Sequence, residues 1–476
     1  MRAALGLGLL LLAPIAHAEE APAADAPTVR VVPLTQARDD TRLQAYLNQA
    51  LAANPALDAR NADVQASDAD LLAARAQQWP QLSLNARYTH ADGGRTIDIP
   101  TGQLLNPVYD TLNQYLEERG EPPQFPNISD QRIKFLRSHE QETKLTLNAP
   151  LIDVSLWANV DAKRALAGAS RADREAYARS LVRELKRAYY GAVEAQAAVG
   201  ILEASLAVLV ENVRVSQALV DAGKATRDRV LRAEAERLDT VQQLDAARAR
   251  AAQSKRLLNM LRAQPDDAPL ELPTPAELPL PPSRDDDDIR TRPELRALDD
   301  NLLASQASER AARGASLPTL GIAADYGIQG EEYHFNDDAQ FDTVSLVLRW
   351  QLWDAGTRRA QRRSARAQSA GLLSQREDLQ RRLVLARRAA REDLDTARRA
   401  IDTGRARLEA AEEGFRIAER KRDAAALSQI EFLDAERTLR EARLQLAINR
   451  CDALDRAAEL ELANASYALP ATLTAP

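Results

Sequence analysis

The chain has 476 residues, and its 70 acidic side chains outnumber its 63 Lys and Arg, which gives a formal net charge of −7. Only 18 residues are Gly and 4% are aromatic, whereas 28% are charged. This composition favours long helices, and it argues against an α/β enzyme, whose strand–helix turns need Gly. The acidic balance excludes a generally basic nucleic-acid binder. A mean hydropathy of −0.40 with one continuous apolar run argues against a multispan inner-membrane protein.

That apolar run belongs to a predicted signal peptide, residues 1–18. Arg2 gives a positive start, residues 3–13 are apolar, and Ala16-His17-Ala18 is a small-x-small cleavage site. A short membrane anchor is the alternative, but the run is too short to span a bilayer. We therefore expect the mature chain to begin at Glu19. The single cysteine, Cys451, lies far from this site, so a lipid anchor at the cleavage site is not expected.

The chain contains an internal repeat. Residues 55–88 match residues 293–326 at an offset of 238, with thirteen of 34 positions identical. Two shorter blocks follow in the same order, 145–153 against 346–354 and 231–234 against 433–436. Three ordered matches predict an ancient duplication. We expect a first repeat over 19–264, a Pro- and Asp-rich extended linker over 265–288, and a second repeat with a C-terminal tail over 289–476.

Each repeat contains two predicted strands. Apolar and polar residues alternate over 82–88 and 144–149 in the first repeat, and over 320–326 and 344–350 in the second. Alternation over about ten residues is typical of a strand with one apolar face. The pattern fits a half-buried sheet in a soluble domain and a transmembrane β-sheet equally well.

Very long helices follow the strands. Residues 157–222 and 358–426 contain no Pro, and each is followed by a return helix, 227–262 and 429–463. Apolar spacing of the coiled-coil type predicts buried stripes at Leu202, Leu206, Leu209, Val213, Ser216 and Val220, and at Phe432, Ala435, Leu439, Ala442, Leu446 and Asn449. Thr226 and Ser428 are placed to cap the return helices.

These features resemble the TolC-like outer-membrane efflux proteins over essentially the whole mature chain. The motifs that carry the resemblance are Asn54-Pro55-x-Leu57, the strand-to-helix turns Leu151-Ile152-Asp153 and Leu352-Trp353-Asp354-Ala355-Gly356, and the hairpin end Gly223-Lys224-Ala225-Thr226. The resemblance implies a mainly α fold with transmembrane β. Four strands per chain form a trimeric twelve-stranded β-barrel, which a long α-helical coiled-coil tunnel continues. Two positions depart from the pattern, Ala425 where Gly is usual and Val154-Ser155 where two glycines are usual.

The same resemblance implies an outer-membrane exit duct with its helical tunnel in the periplasm. Its partners are two further copies of the chain, outer-membrane lipid, a periplasmic adaptor and an inner-membrane pump of the RND or ABC type, in tripartite efflux or type I secretion. We expect no enzyme activity, cofactor, metal site or nucleic acid. The alternative is a soluble periplasmic coiled-coil scaffold, which explains the signal and the helices but leaves the strands unexplained. The role of the extended loop 95–140 is open.

The resemblance also assigns site residues. The adaptor-docking ends are Gly223, Lys224, Ala225 and Thr226, with Ala425, Ala426, Leu427 and Ser428. Glu431 and Asp434 match the acidic pair that rings the periplasmic aperture, and three chains would crowd six carboxylates there and raise their pKa. A solvated helical face is the alternative for this pair. Arg229, Arg422 and Leu427 stand where the family latches its ends, but they do not resemble its usual latch residues.

Overall fold

The computed structural model describes residues 40–281, 289–333, 338–424 and 426–474, apart from the side chain of Arg290. The predicted signal peptide, Ala425 and the Asp-rich end of the linker lie outside the described residues. The elements are α1 (Thr41–Ala53), α2 (Pro55–Ala76), β1 (Gln81–His90), β2 (Thr96–Ile99), α3 (Thr101–Glu118), β3 (Gln131–Lys134), β4 (His139–Ile152), α4 (Val154–Asp221), α5 (Arg227–Leu261), α6 (Pro293–Gly314), β5 (Thr319–Gly330), β6 (Gln340–Arg349), α7 (Thr357–Asp423), α8 (Gln429–Asn464) and α9 (Ala471–Thr474), with a short 3-10 turn at Ile289–Thr291.

The order helix, strand, strand, long helix and return helix occurs twice. The long helices α4 and α7 have 68 and 67 residues, so each reaches roughly 100 Å. The first half carries an additional insert, β2–α3–β3, between its two strands. The sequence predicts no helix or strand in this segment, whereas the structure contains a helix and a two-stranded ribbon there.

The strand-to-helix turns explain one departure from the family pattern. In the first half, Asp153 Oδ1 accepts a hydrogen bond from Ser155 N at 2.9 Å, and α4 begins at once. In the second half, Asp354 Oδ2 accepts a hydrogen bond from Arg358 N at 2.9 Å. Here two residues in the left-handed region lie between the aspartate and the helix. These are Ala355 (φ 52°) and Gly356 (φ 90°). The first turn therefore needs no glycine because it never enters that region.

The four long strands form one antiparallel sheet in the order β1-β4-β5-β6. Leu82 lies opposite Leu147 and Leu84 opposite Leu145. On the next strand pair Leu145 lies opposite Tyr326. The register thus collects the apolar residues on one face, and the predicted strands and their alternation are confirmed. β1 and β6 are the two edges of this sheet.

The other face of the sheet is polar. Ser83 lies opposite Thr146, and Thr146 Oγ1 donates to Asp325 at 2.5 Å. Lys144 Nζ lies 2.9 Å from Glu142, which also pairs with Arg87 at 3.0 Å. The apolar face is bare: Leu84 and Leu346 are each 68% exposed and Val344 is 78% exposed. A single chain therefore leaves a large apolar surface of the sheet uncovered.

The main core lies beside the middle of α4. Leu47 of α1, Leu185 and Tyr189 of α4, Leu258 of α5 and Leu454 of α8 are almost fully buried together. The described part of the linker, 265–281, closes over this core without a helix or strand, and it turns at 265–268 and at 274–277. Leu278 is buried in the cluster, and Arg450 Nε donates to Pro275 O at 2.8 Å. At the chain end, Leu473 of α9 packs beside Leu57.

Hairpin ends and the candidate aperture

The end of the first hairpin is a glycine-terminated turn. α4 stops at Asp221, and Lys224 N donates to Leu219 O at 2.8 Å across Gly223, whose φ is 70°. This bond satisfies one of the last helix carbonyls and needs a residue in the left-handed region, which favours Gly. A Cβ at Gly223 would meet nothing within 4 Å. The turn therefore presents bare backbone to solvent.

The second hairpin ends with the same type of bond. Ala426 N donates to Lys421 O at 2.8 Å, again five residues back. Ala424 N donates to Arg420 O at 3.1 Å. These bonds join described residues on either side of position 425 to the end of α7.

The two return helices begin differently. Ser428 caps α8, as predicted: Glu431 N donates to Ser428 Oγ at 3.3 Å. The prediction for Thr226 is wrong, because its side chain makes no capping bond to α5. Its hydroxyl instead donates to the carboxylate of Asp228 in the first turn, which leaves the orphan amides of α5 without this acceptor.

Glu431, the first candidate aperture residue, completes a capping box. Its Oε2 accepts hydrogen bonds from Ser428 N at 3.1 Å and from Ser428 Oγ at 3.0 Å. The backbone hydrogen bond and then the hydroxyl bond from Ser428 lower the pKa of Glu431. Within one chain, the cap therefore works against the rise in pKa that we expect from crowding in a ring.

Asp434, the second candidate, lies one turn further along α8. It is exposed, as is Glu431, and residues three apart share a helical face. Phe432 and Leu433, between them in sequence, face the other way and are buried with Leu209 of α4. The acidic pair thus points away from the hairpin packing, a placement that suits both an aperture and a solvated face.

A hydrogen bond joins the two hairpin ends. Arg229 Nε at the start of α5 donates to Gln429 Oε1 at the start of α8, at 3.1 Å. Arg422 lies over the ring of Phe432, 4.7 Å from its centroid, and pairs with Asp423 at 3.0 Å. Leu427 is half-buried against the same cluster as Phe432. The latch positions are therefore engaged, and sequence reasoning missed Gln429 as the partner of Arg229.

Sequence reasoning also missed a buried ionic network above the ends. Arg440 of α8 is 5% exposed and contacts two other helices, α4 and α5. Its Nη2 donates to Glu236 Oε1 of α5 at 2.9 Å, and its Nη1 donates to Thr240 Oγ1 at 2.7 Å. Ser205 of α4 donates to Glu436, which is 4% exposed. The network therefore ties the first hairpin to the second.

The two carboxylates of this network differ. Burial raises the pKa of Glu236, but hydrogen bonds from Arg437 at 2.5 Å and from Arg440 together outweigh burial and lower it. For Glu436 burial dominates and raises the pKa, although the Ser205 hydroxyl and Arg440 oppose it. Glu436 Oε2 is buried without a hydrogen-bond donor and lies 3.5 Å from Arg440 Nη1. Charge on Glu236 thus supports the packing, whereas charge on Glu436 opposes it.

On α4, two polar residues are buried beside the positions that the apolar pattern predicted to be buried. On α4 the buried stripe includes Ser205 and Asn212, where Leu206 and Val213 were predicted. Leu202, Leu209 and Ser216 are buried as predicted. The stripe follows contacts with α5 and α8, which the sequence of α4 alone does not contain.

The described residues hold no cluster of three or more His, Cys, Asp or Glu side chains that could bind a metal ion. The buried Cys451 is a free thiol whose pKa burial raises to about 12.

Comparison with known proteins gives one family and one fold. A family model described as outer membrane efflux protein matches residues 46–261 and 288–465. Among solved structures, the outer-membrane channel OprN is 20% identical with a TM-score of 0.75, over 89% of this chain and 90% of that one. VceC from Vibrio cholerae is 17% identical with a TM-score of 0.73, over 89% and 96%.

The Neisseria gonorrhoeae MtrE outer membrane channel in its open state is 19% identical with a TM-score of 0.72, over 89% of this chain and 88% of that one. Among curated proteins none matches significantly. At these identities the solved structures establish the fold alone, while the family model spans most of the chain. With its duplicated helix-and-strand order and its uncovered sheet, the chain belongs to the outer membrane efflux protein family.

Proposed function

We propose that three copies of this chain close a twelve-stranded β-barrel in the outer membrane, and that their helices continue it as a periplasmic tunnel. The assembly acts as a passive exit duct and carries out no catalysis. Its hairpin ends dock on a periplasmic adaptor coupled to an RND or ABC pump, which supplies the energy for efflux or type I secretion. We further propose that the two halves, 19–264 and 289–476, arose by duplication and are joined by the 265–288 linker.

The observation that carries this proposal is the four-stranded sheet with two open edges. Its bare apolar face suits hydrocarbon, but unpaired amides and carbonyls along β1 and β6 cost several kcal/mol per group in lipid. Pairing β1 of one copy with β6 of the next removes every edge. Twelve strands fall within the range of known outer-membrane barrels.

The helical part supports the same assembly. α4 contains an 18-residue window long and apolar enough, by length and composition, to cross a membrane. Only 28% of that window is buried inside the chain. Coverage by neighbouring copies in a tunnel accounts for this exposed apolar surface better than a membrane span does, since the rest of α4 carries many charges.

Docking at the hairpin ends fits their geometry. Bare backbone at Gly223 permits close approach of a partner helix pair. Gly223, Lys224 and Thr226 are exposed on the first hairpin, and Ala426 and Ser428 on the second. The Arg229–Gln429 bond holds the two ends side by side as one surface.

We propose Glu431 and Asp434 as the aperture ring. Three copies would place six carboxylates at one opening, which attracts cations and repels anions. The capping box fixes the side chain of Glu431, so the ring would keep a defined geometry. Asp434 takes no part in this capping box, and it interacts electrostatically with Arg437.

A soluble periplasmic scaffold is the second candidate. It would have to keep the apolar face of the sheet in water, and family membership argues against it. The test is fractionation of expressing cells followed by native mass measurement in mild detergent. We expect recovery with the outer membrane and a mass of three mature chains that begin at Glu19. Recovery as a soluble monomer would refute the proposal.

A further inference from the structure

The insert between β1 and β4 carries an exposed apolar helix face. On α3, Leu104, Val108, Leu112 and Tyr115 recur at spacings of four, four and three, and so form one stripe. Their exposed fractions are 67%, 52%, 40% and 63%. Gly102 is the one buried residue of this helix. A stripe this regular and this bare is the surface of an interface without its partner.

The ribbon β2–β3 in the same insert has a second apolar face. Ile97 lies directly opposite Ile133, and Ile99 follows on the same face. They are 42%, 49% and 36% exposed. The reverse face is polar, where Asp98 pairs with Arg132 at 2.6 Å. The ribbon is therefore amphipathic, as is the helix.

Polar bonds hold the insert in shape without covering these faces. Asn106 Nδ2 donates to Ile128 O at 2.9 Å, and Ile128 N donates back to Asn106 Oδ1 at 2.8 Å. Asn113 makes the same pair of bonds to Phe125, at 2.7 and 3.0 Å. Both asparagines tie α3 to the returning chain. The apolar faces are thus preformed, which lowers the entropy cost of binding.

The helix and the ribbon that bear these apolar faces also carry opposite net charge. α3 contains Asp110, Glu117 and Glu118 and no Lys or Arg. Residues 95–99 and 131–137 contain four Lys and Arg against one Asp. An acidic helix suits an anionic lipid surface poorly, because helices that lie on membranes carry Lys and Arg on their polar face. The acidic helix and the basic ribbon are complementary in charge and both offer apolar contact.

We propose that α3 of one copy docks on the β2–β3 ribbon of the next, so that three inserts form a ring at the outer mouth of the barrel. This inference rests on the proposed trimer. The insert leaves β1, an edge strand, at the end of the sheet remote from the long helices, which places it beside the neighbouring copy. Two different surfaces that fit each other make a head-to-tail contact, and threefold rotation closes it.

The test uses full-length chains with single added cysteines and two different tags, expressed together. Val108→Cys on one chain and Ile133→Cys on the other should give an oxidised dimer that carries both tags. Gln103→Cys, exposed on another side of α3, is the matched control and should give at least tenfold less. The native Cys451 stays in all chains, because its thiol is buried and burial raises its pKa.

A charge exchange tests complementarity. Glu117→Lys with Glu118→Lys should lower the mixed cross-link severalfold, and Arg95→Glu with Arg137→Glu on the partner chain should restore it. Failure to restore would contradict a charge-matched contact.

The outcomes separate this inference from the proposed function. An intact trimer without the mixed cross-link overturns the ring and leaves the exit duct standing. A cross-link from Val108→Cys alone means that helices meet each other on the axis, which overturns the head-to-tail contact. Quenching of a fluorophore on Val108→Cys by brominated lipid means that lipid covers the stripe. Absence of any trimer refutes the proposed assembly itself.

Discussion

The buried ionic network allows a prediction with a built-in control, since its two glutamates should respond oppositely to the same substitution. Glu236→Gln removes the carboxylate that accepts from Arg437 and Arg440, and leaves Arg440 buried with a weaker partner. Glu436→Gln removes a charge that lacks one donor and keeps an oxygen for Ser205. Both substitutions preserve shape.

The expected magnitudes differ by several kcal/mol. Removal of one partner from a buried ion pair costs 3–5 kcal/mol, and replacement of an imperfectly compensated buried charge is often neutral or stabilising. We expect about 3 kcal/mol for Glu236→Gln, at the low end of that range, because Glu436 remains 3.5 Å from Arg440. For Glu436→Gln we expect a change near zero or a gain.

The pH dependence has opposite signs for the two groups. The pKa of Glu236 is lowered in the folded protein. Its contribution to the free energy of unfolding is therefore present above the ordinary pKa of 4.5 and is lost as pH falls through the folded pKa. The pKa of Glu436 is raised, so its contribution is full below 4.5 and is lost as pH rises through its folded pKa. The stability of Glu436→Gln should therefore exceed that of the parent most at neutral pH. The stabilities of the two proteins should converge near pH 4.5.

Hydrogen exchange of the α8 amides over 432–445, in the detergent-solubilised protein, reports local opening without global unfolding. A loss of 3 kcal/mol corresponds to roughly 150-fold faster exchange for Glu236→Gln at pH 7. Glu436→Gln should exchange at the parental rate or more slowly. Equal acceleration in both variants, or none in Glu236→Gln, would refute the assignment of roles.

Three further predictions concern the sheet, the hairpin ends and the aperture. A charge at Leu147 should destabilise the barrel by about 2–4 kcal/mol near the bilayer midplane. Leu147→Cys should resist a water-soluble thiol reagent that labels Asn148→Cys. Equal labelling of the two would contradict the assigned faces. Gly223→Trp should abolish export with trimer and membrane level intact, whereas Gly223→Ala, which shares the backbone strain without the bulk, should still export; normal export by the Trp variant would mean that the adaptor binds elsewhere. In planar bilayers the pore should be cation-selective and blocked from the periplasmic side by trivalent hexaammine cations, and Glu431→Ala with Asp434→Ala should remove most of the block; parental conductance and block in this double variant would place the aperture at other residues.

The parts of the fold that follow one local period could be predicted from sequence. Strict alternation identified the four long strands, and the polar and apolar rows of the sheet follow directly from it. Pro-free stretches identified α4 and α7 because proline is the residue that most strongly interrupts a helix. Ser428 was recognised as a cap because its preference is local to the turn.

The parts of the fold that depend on contact with a second element could not be predicted from sequence. Ser205 and Asn212 are polar, so an apolar pattern skips them, yet both are buried, and Ser205 lies against Arg440 of α8. Thr226 is a residue type that commonly caps helices, but its hydroxyl donates to the carboxylate of Asp228, two residues further along the chain. α3 was missed because Pro107 lies inside it and argues against a helix from sequence.

The central claim is that β1 of one copy pairs with β6 of the next, and a cross-linking ladder tests it most directly. A full-length chain with both Leu84→Cys and Leu346→Cys, treated with a short bismaleimide, has one reactive site near each edge of its sheet. A closed ring predicts covalent dimers and trimers, with a ladder that ends at three chains. The absence of cross-links, or a ladder that continues beyond three, would contradict the account.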